Sequence, residues 1–210
     1  MRDCIRLALL ILLISMPIST RAADQRDLDL CEEAEDLDVA IQACSRILND
    51  TQETGSVRVQ AFINRGNIYY TNGDANHAMA DFNAAIQLDP KNSMAFNDRG
   101  SVYKMKGDGK RAMADYNEAI RLDATNAMAF RNRGVLYSGM ADPDHAMADF
   151  NEAIRLDPKN ATAFLWRGVL YGSMGNRDSA DADWDEAERL DPETADTFFN
   201  NMKKMMQQSN

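Results

Sequence analysis

The fold is decided by the stretch AFINRGNIYY at residues 61–70, because parts of it return three times at a fixed interval. Its Arg-Gly pair recurs every 34 residues, at 65–66, 99–100, 133–134 and 167–168. A downstream pair of Asp and an aromatic residue keeps the same interval, at 81–82, 115–116, 149–150 and 183–184. A period of about 34 residues with an early Gly, a Tyr three residues later and a late Pro is typical of stacked helix–turn–helix units. The sequence therefore predicts an all-α solenoid of helix pairs.

Four such repeats occupy 59–92, 93–126, 127–160 and 161–194. Each has Phe at its fourth place, Gly at the eighth and Tyr at the eleventh, which puts all three on one face of a first helix. A second helix follows, with Ala at the twentieth and twenty-seventh places and an aromatic residue at the twenty-fourth. Pro at the thirty-second place ends three repeats, whereas the second repeat has Ala124 there. These motifs resemble the tetratricopeptide repeat (TPR) family, in an exported bacterial form.

The resemblance implies a right-handed solenoid of antiparallel helix pairs with a helical cap at each end. Residues 195–210 are predicted to be the C-terminal capping helix, because Phe198, Met202 and Met205 keep the register of a first helix. The alternative is that this Met-rich helix is itself a partner surface.

Residues 1–23 have the order of a secretory signal peptide: basic residues, an apolar run at 7–14, then small residues. We expect cleavage after Ala22 or Ala23, with an uncleaved anchor as the alternative. The apolar run is shorter than the roughly 20 residues of a membrane span. We therefore predict a periplasmic or secreted protein with no stable membrane span once the signal is cleaved.

Residues 24–58 are predicted to form an N-terminal helical cap, a degenerate repeat followed by a loop. Cys44 stands where the repeats have their second-helix aromatic residue, and Cys31 lies on the shortened helix before it. Loss of Cys4 with the signal leaves an even number of cysteines, which in an exported protein favours a Cys31–Cys44 disulfide. Two reduced, packed cysteines are the alternative.

An arginine at the seventh place departs from the family, which usually has an aliphatic residue there. The four arginines are Arg65, Arg99, Arg133 and Arg167. The aspartates at the twenty-third place recur just as strictly. We predict a ladder of Arg–Asp pairs between neighbouring helices, with the arginine stems packed. The alternative is an anion-binding stripe.

The composition argues against nucleic-acid binding, because a net charge of −10 repels phosphate backbones. The two histidines, His77 and His145, occupy equivalent places 68 residues apart, and neither has cysteines nearby. No Ser–His–Asp arrangement, phosphate-binding glycine loop or dinucleotide fingerprint is present in the sequence. We predict a protein that is not an enzyme and has no metal and no cofactor.

The resemblance implies that places two, five, six, nine and twelve of each first helix face a bound partner. The predicted partner-contacting residues are Asn64, Asn67, Asn97, Asp98, Ser101, Arg131, Asn132, Leu165 and Trp166. Amides both donate and accept hydrogen bonds, so the asparagines are suited to an extended peptide backbone. The alternative is that they only solubilise the face. Trp166 and Leu165 indicate an apolar anchoring pocket in the fourth repeat.

Another binding mode of the family is a basic clamp around a C-terminal carboxylate. The family's clamp places basic residues where this chain has Ile63, Met128 and Asn132. The sequence therefore predicts a scaffold that binds a peptide or protein by other contacts. The alternative is a self-assembling module that forms a homo-oligomer.

Overall fold

The structure is a computed structural model that describes residues 18–50 and 55–208. Most of the predicted signal peptide, residues 1–17, lies outside the described residues. The described residues form eleven helices and no strand. The helices are α1 (Ile18–Glu33), α2 (Leu37–Asn49), α3 (Gly55–Thr71), α4 (Ala75–Leu88), α5 (Ser93–Met105), α6 (Gly109–Leu122), α7 (Ala127–Gly139), α8 (Pro143–Leu156), α9 (Ala161–Ser173), α10 (Arg177–Leu190) and α11 (Pro192–Gln208).

The helices begin where the repeat pattern places a short polar side chain. Asn92, Asn126 and Asn160 cap the first helices α5, α7 and α9 by accepting a backbone N–H. Asp or Asn side chains cap the second helices in the same way: Asp74, Asp108, Asp142 and Asn176. A side-chain N-cap thus fixes the start of each helix from α4 to α10.

The turn inside each repeat ends in the left-handed backbone region. Three repeats place a glycine there, and φ of Gly107 is 77°. The third repeat has Ala141 at the same place, with φ of 56°. A residue with a Cβ atom adopts this backbone region at an energetic cost, so the turn at Ala141 is the strained one of the four.

The two helices of a repeat meet where a glycine faces an aromatic ring. A Cβ atom on Gly66 would lie 2.7 Å from the ring of Phe82. Gly100 faces Tyr116, Gly134 faces Phe150 and Gly168 faces Trp184 at similar separations. The rings of Phe82, Tyr116 and Phe150 are fully buried as a result. Glycine at the eighth place is required by this close approach.

The predicted Arg–Asp ladder is confirmed. Arg99 Nε and Nη2 each donate a hydrogen bond of 2.8 Å to the carboxylate of Asp115, which is 6% exposed. The equivalent pairs are Arg65–Asp81, Arg133–Asp149 and Arg167–Asp183. The guanidinium of Arg99 also lies 5.3 Å from the ring centre of Phe96. Since the aspartates take up the guanidinium groups, the anion-binding stripe is wrong.

The ladder also joins successive repeats, which the repeat pattern alone does not predict. Arg99 Nη1 donates to Asn83 Oδ1 of the preceding repeat at 2.9 Å. Arg133 and Arg167 bond Asn117 and Asn151 in the same way. Arg65 has no such repeat before it and donates instead to Ser45 Oγ of α2. Each arginine therefore links three helices.

The two ends of the array are covered by helices. Cys31 and Cys44 lie within bonding distance at the N-terminal end, with Cα atoms 4.9 Å apart, and pack with Ile47. At the other end, α11 packs Phe198 and Phe199 against a cluster that includes Leu165 and Ala187. Met205 and Met206 of α11 remain more than half exposed.

Candidate functional site

The predicted contact residues of α5 and α7 form one hydrogen-bonded chain. The guanidinium of Arg131 donates to Asn132 Oδ1, with Nη2 at 3.1 Å. Asn132 Nδ2 donates to Asn97 Oδ1 at 2.9 Å, across the boundary between two repeats. Asn97 Nδ2 in turn donates to Asp98 Oδ1 at 2.9 Å. All three bonds point the same way, from a cation to an anion.

The carboxylate at the end of this chain is incompletely bonded. Asp98 Oδ2 is buried and has no hydrogen-bond partner among the described residues. Burial raises the pKa of Asp98 to about 6, although hydrogen bonding by Asn97 and Asn67 favours its ionised form. A buried acceptor without a donor is costly, so Asp98 is a candidate binding residue.

The cation at the other end has no carboxylate partner. Arg131 forms no ion pair within the part of the chain that the structure describes. Burial lowers the pKa of Arg131. The tyrosinates of Tyr116 and Tyr70, which form only at high pH, and the carboxylate of Asp157 oppose this shift. Lys104 reaches solvent nearby, yet desolvation and then the charge of Arg131 lower its pKa. The two cations therefore lie on α5 and α7, two helices that contact each other.

Two tyrosines complete the surroundings of the chain. Tyr116 is fully buried and its hydroxyl lies 3.3 Å from Ser101 Oγ. Burial raises the pKa of Tyr116 to about 12. Burial likewise raises the pKa of Tyr70, with a contribution from the charge of Asp98. Both hydroxyls thus stay neutral at physiological pH and act as hydrogen-bonding groups.

A second incompletely bonded group lies on α3. Asn64 Oδ1 accepts a hydrogen bond from Gln60, but Asn64 Nδ2 is buried and has no partner among the described residues. Asn64 and Asn67 line a shallow pocket together with Glu32 and Thr71. Each of the two helices therefore contains one buried polar atom without a partner among the described residues, a donor on α3 and an acceptor on α5.

The family is decided by the sequence match. The family model described as TPR repeat matches residues 66–107, 100–140 and 144–175, together just over half of the chain. The chain belongs to the TPR repeat family.

Solved TPR structures have the same fold. TTC0263, a thermophilic TPR protein in Thermus thermophilus, is 19% identical, with a TM-score of 0.72 over 87% of this chain and 99% of that one. MamA is 25% identical, with a TM-score of 0.58 over 77% of this chain and 92% of that one. YrrB, described as a TPR protein with an unusual peptide-binding site, is 24% identical, with a TM-score of 0.52 over 74% and 78% of the two chains. No curated protein matches the sequence.

The predicted apolar anchor of the TPR array requires a correction. Leu165 has no exposed surface, because it packs against Ala187 and Ala195 in the C-terminal core. It was wrongly placed at the partner face, since the fifth place of α9 turns inward. Trp166 is half-buried and meets Phe198 edge to face, with ring centres 5.2 Å apart. An apolar pocket of about 360 Å³ lies close by, lined in part by Val169 and Phe199.

The asparagines that were predicted to contact a peptide do not form a row of free amides. Asn97 is 2% exposed and is hydrogen-bonded to Asn132 and to Asp98. The side-chain amides of Asn97 and Asn132 are therefore already used within the protein and are not free to contact a peptide. Asn64 keeps an unused donor. The predicted contact residues do not include Tyr70 and Lys104. Both lie at the twelfth place of a first helix, which the family resemblance predicts to face the partner.

The described residues show no further site for a metal or a membrane. They contain no group of three or more His, Cys, Asp or Glu residues that could hold a metal ion. His77 and His145 bond the capping residues Asp74 and Asp142 at exposed helix starts. No helix in the described ranges is long and apolar enough to cross a membrane.

Proposed function

We propose that this TPR protein is a non-catalytic scaffold that binds a peptide or an extended protein segment on the face formed by α3, α5, α7 and α9. The observation that carries the proposal is the pair of unused, buried polar atoms on this face, Asn64 Nδ2 and Asp98 Oδ2. A peptide backbone supplies both an acceptor and a donor in regular alternation. Binding would therefore satisfy groups that are costly in the free protein.

Membership of the TPR family supports a role in protein interaction, as does the solenoid fold. YrrB is described as having a peptide-binding site, but its 24% identity carries only the fold to this chain. The proposal for the binding face therefore rests on the residues of this protein.

We also propose that the protein is exported to the periplasm or secreted. The signal-like order of residues 1–23 supports this location. Cys31 and Cys44 lie side by side in the N-terminal cap, where an oxidising compartment would join them. The disulfide is part of this proposal.

A second candidate function is self-assembly through the C-terminal end of the array. The observation that favours it is the exposure of Met205 and Met206, at 54% and 61%. Light scattering after size exclusion at two protein concentrations separates the candidates. A mass that doubles with concentration favours self-assembly, whereas a constant monomer favours binding on the face.

The proposed function is tested by crosslinked affinity capture from the exported fraction of the native cells. The bait is the full chain, compared with the triple variant Asn64→Ala/Asp98→Ala/Trp166→Ala. The matched control is Arg121→Ala/Arg155→Ala/Arg189→Ala, which changes three arginines that are exposed on the second helices. We expect a partner that the wild type and the control retain and the face variant loses. A partner held equally by all three proteins would contradict the proposed face.

A further inference from the structure

We propose that the partner is an acidic peptide segment, whose carboxylate binds Arg131 and Lys104 while one of its backbone N–H groups donates to Asp98. This inference rests on the proposed function, because it names the ligand class of the same face. It follows from three observations on α5 and α7.

The first observation is the position of Arg131. It occupies the fifth place of its repeat, where Ile63 and Leu165 are buried to 1% and 0% exposure. A guanidinium with five N–H groups is thus held at a desolvated place, and its hydrogen bonds go to the amide oxygen of Asn132. Asp157 acts on it only at a distance, through its charge.

The neighbouring Arg133 shows what a structural arginine looks like in this fold. Arg133 donates twice to Asp149 and once to Asn117, so its charge and its donors are used within the protein. Arg131 lies two residues away on α7 and has no such carboxylate among the described residues. From this difference we expect Arg131 to bind an anionic group that another molecule supplies.

The second observation is the second cation, Lys104, on α5. Lys104 lies on α5, which contacts α7, the helix that carries Arg131. Desolvation and then the charge of Arg131 lower the pKa of Lys104. An anion bound between the two cations would offset the repulsion between them and raise both pKa values.

The third observation concerns Asp98, which determines the chemical group of the peptide that lies next to its bound carboxylate. Asp98 Oδ1 accepts from Asn97 and the buried Asp98 Oδ2 has no hydrogen-bond partner among the described residues, although the amide of Asn67 is near enough to favour the ionised form. The group that Oδ2 needs is therefore a hydrogen-bond donor. A backbone N–H fits better than an ammonium group, because Arg131 and Lys104 already outweigh the charge of Asp98.

The carboxylate that binds Arg131 and Lys104 can belong either to an acidic side chain or to the C-terminus of the peptide. The two cations lie at the fifth place of the third repeat and the twelfth place of the second, whereas the basic clamp of the family uses other places. The experiment therefore presents both sources.

The test is selection of random twelve-residue peptides against the full chain from two display libraries. One library fuses the C-terminus of the peptide to its carrier, and the other leaves that C-terminus free. The compared proteins are the wild type, Arg131→Gln/Lys104→Gln and the matched control Lys91→Gln/Lys110→Gln, which removes two exposed lysines elsewhere. The selected peptide is then synthesised and its Kd is measured, including for Asp98→Asn.

We expect enrichment of Asp or Glu at one peptide position with the wild type and the control, and loss of that enrichment with the Arg131→Gln/Lys104→Gln protein. Enrichment confined to the free C-terminal library would assign the carboxylate to the peptide terminus. Asp98→Asn should weaken binding of the selected peptide about tenfold, as expected for one hydrogen bond to a charged group.

The outcomes that overturn the inference differ from those that overturn the proposed function. Selected peptides without acidic residues, or the same acidic preference in the Arg131→Gln/Lys104→Gln protein, would refute the inference and leave peptide binding in place. No selected peptide from either library would refute the proposed function together with the inference.

Discussion

Arg99 and Asp115 form a two-bonded ion pair between the helices of the second repeat, and the third nitrogen of Arg99 reaches Asn83 of the first repeat. The same arrangement occurs in all four repeats, with Ser45 taking the place of the asparagine next to the N-terminal cap. One side chain thus fixes both the geometry within a repeat and the stacking on the repeat before it.

Arg99→Ala should lower the free energy of unfolding by roughly 3 kcal/mol, because it leaves the buried carboxylate of Asp115 without its partner. Urea denaturation followed by circular dichroism measures the change. The control is Arg121→Ala, which removes an equivalent ion pair with Glu118 on the surface and should cost at most about 1 kcal/mol. Equal effects of the two substitutions would refute a structural role for the ladder.

Ala141→Gly should stabilise the protein by about 1 kcal/mol, because φ at this turn is 56° and glycine adopts that region without a steric penalty. Gly107→Ala at the equivalent turn should destabilise it by a similar amount, since φ there is 77°. Melting temperatures of the two variants test the pair. A rise for Gly107→Ala or a fall for Ala141→Gly would contradict the assigned strain.

The periodicity of the sequence predicts the helix pairs and the Arg–Asp ladder. Asn83, Asn117 and Asn151 recur just as regularly, but their role depends on how one repeat is placed on the next, which no pattern within a repeat reveals. The same limit applies to Asn97 and Asn132, whose mutual bond crosses a repeat boundary.

Leu165 illustrates another limit. The fifth place is buried in Ile63, Asn97 and Leu165 and partly exposed in Arg131. A family-wide rule that this place faces the partner therefore fails where the side chain gains more from the core than from solvent.

Asp98→Asn should stabilise the free protein at pH 7.5 and have little effect on its stability at pH 4. Burial raises the pKa of Asp98 from its usual 3.8 to about 6, so the folded state binds this proton more tightly than the unfolded state. The destabilising effect of the ionised carboxylate is therefore absent below about pH 4, grows as the pH rises towards 6 and is complete above it.

Asparagine cannot ionise, so the stability of Asp98→Asn relative to the wild type should rise across the same interval, to about 3 kcal/mol. Thermal unfolding of both proteins between pH 4 and pH 8 measures this difference. A difference that stays constant over the interval would show that Asp98 does not titrate there.

Reduction should destabilise the protein by about 3 kcal/mol, because the proposed Cys31–Cys44 bond would close a loop with a sequence separation of 13 residues. The double variant Cys31→Ser/Cys44→Ser should be insensitive to the reductant. Mass spectrometry after alkylation in denaturant tests the oxidation state directly. Alkylation of both cysteines without a reductant would contradict the proposed disulfide.

The most direct test of the account is site-specific photo-crosslinking of the bound partner. Benzoylphenylalanine replaces Met128 at the second place of α7 in one protein, and Met140 in the turn after α7 in the other. Both side chains are exposed, at 38% and 63%. The account predicts a crosslink to the partner or to the selected acidic peptide from residue 128 and none from residue 140. Crosslinking from residue 140 alone would place the partner on another surface and contradict the proposed binding face.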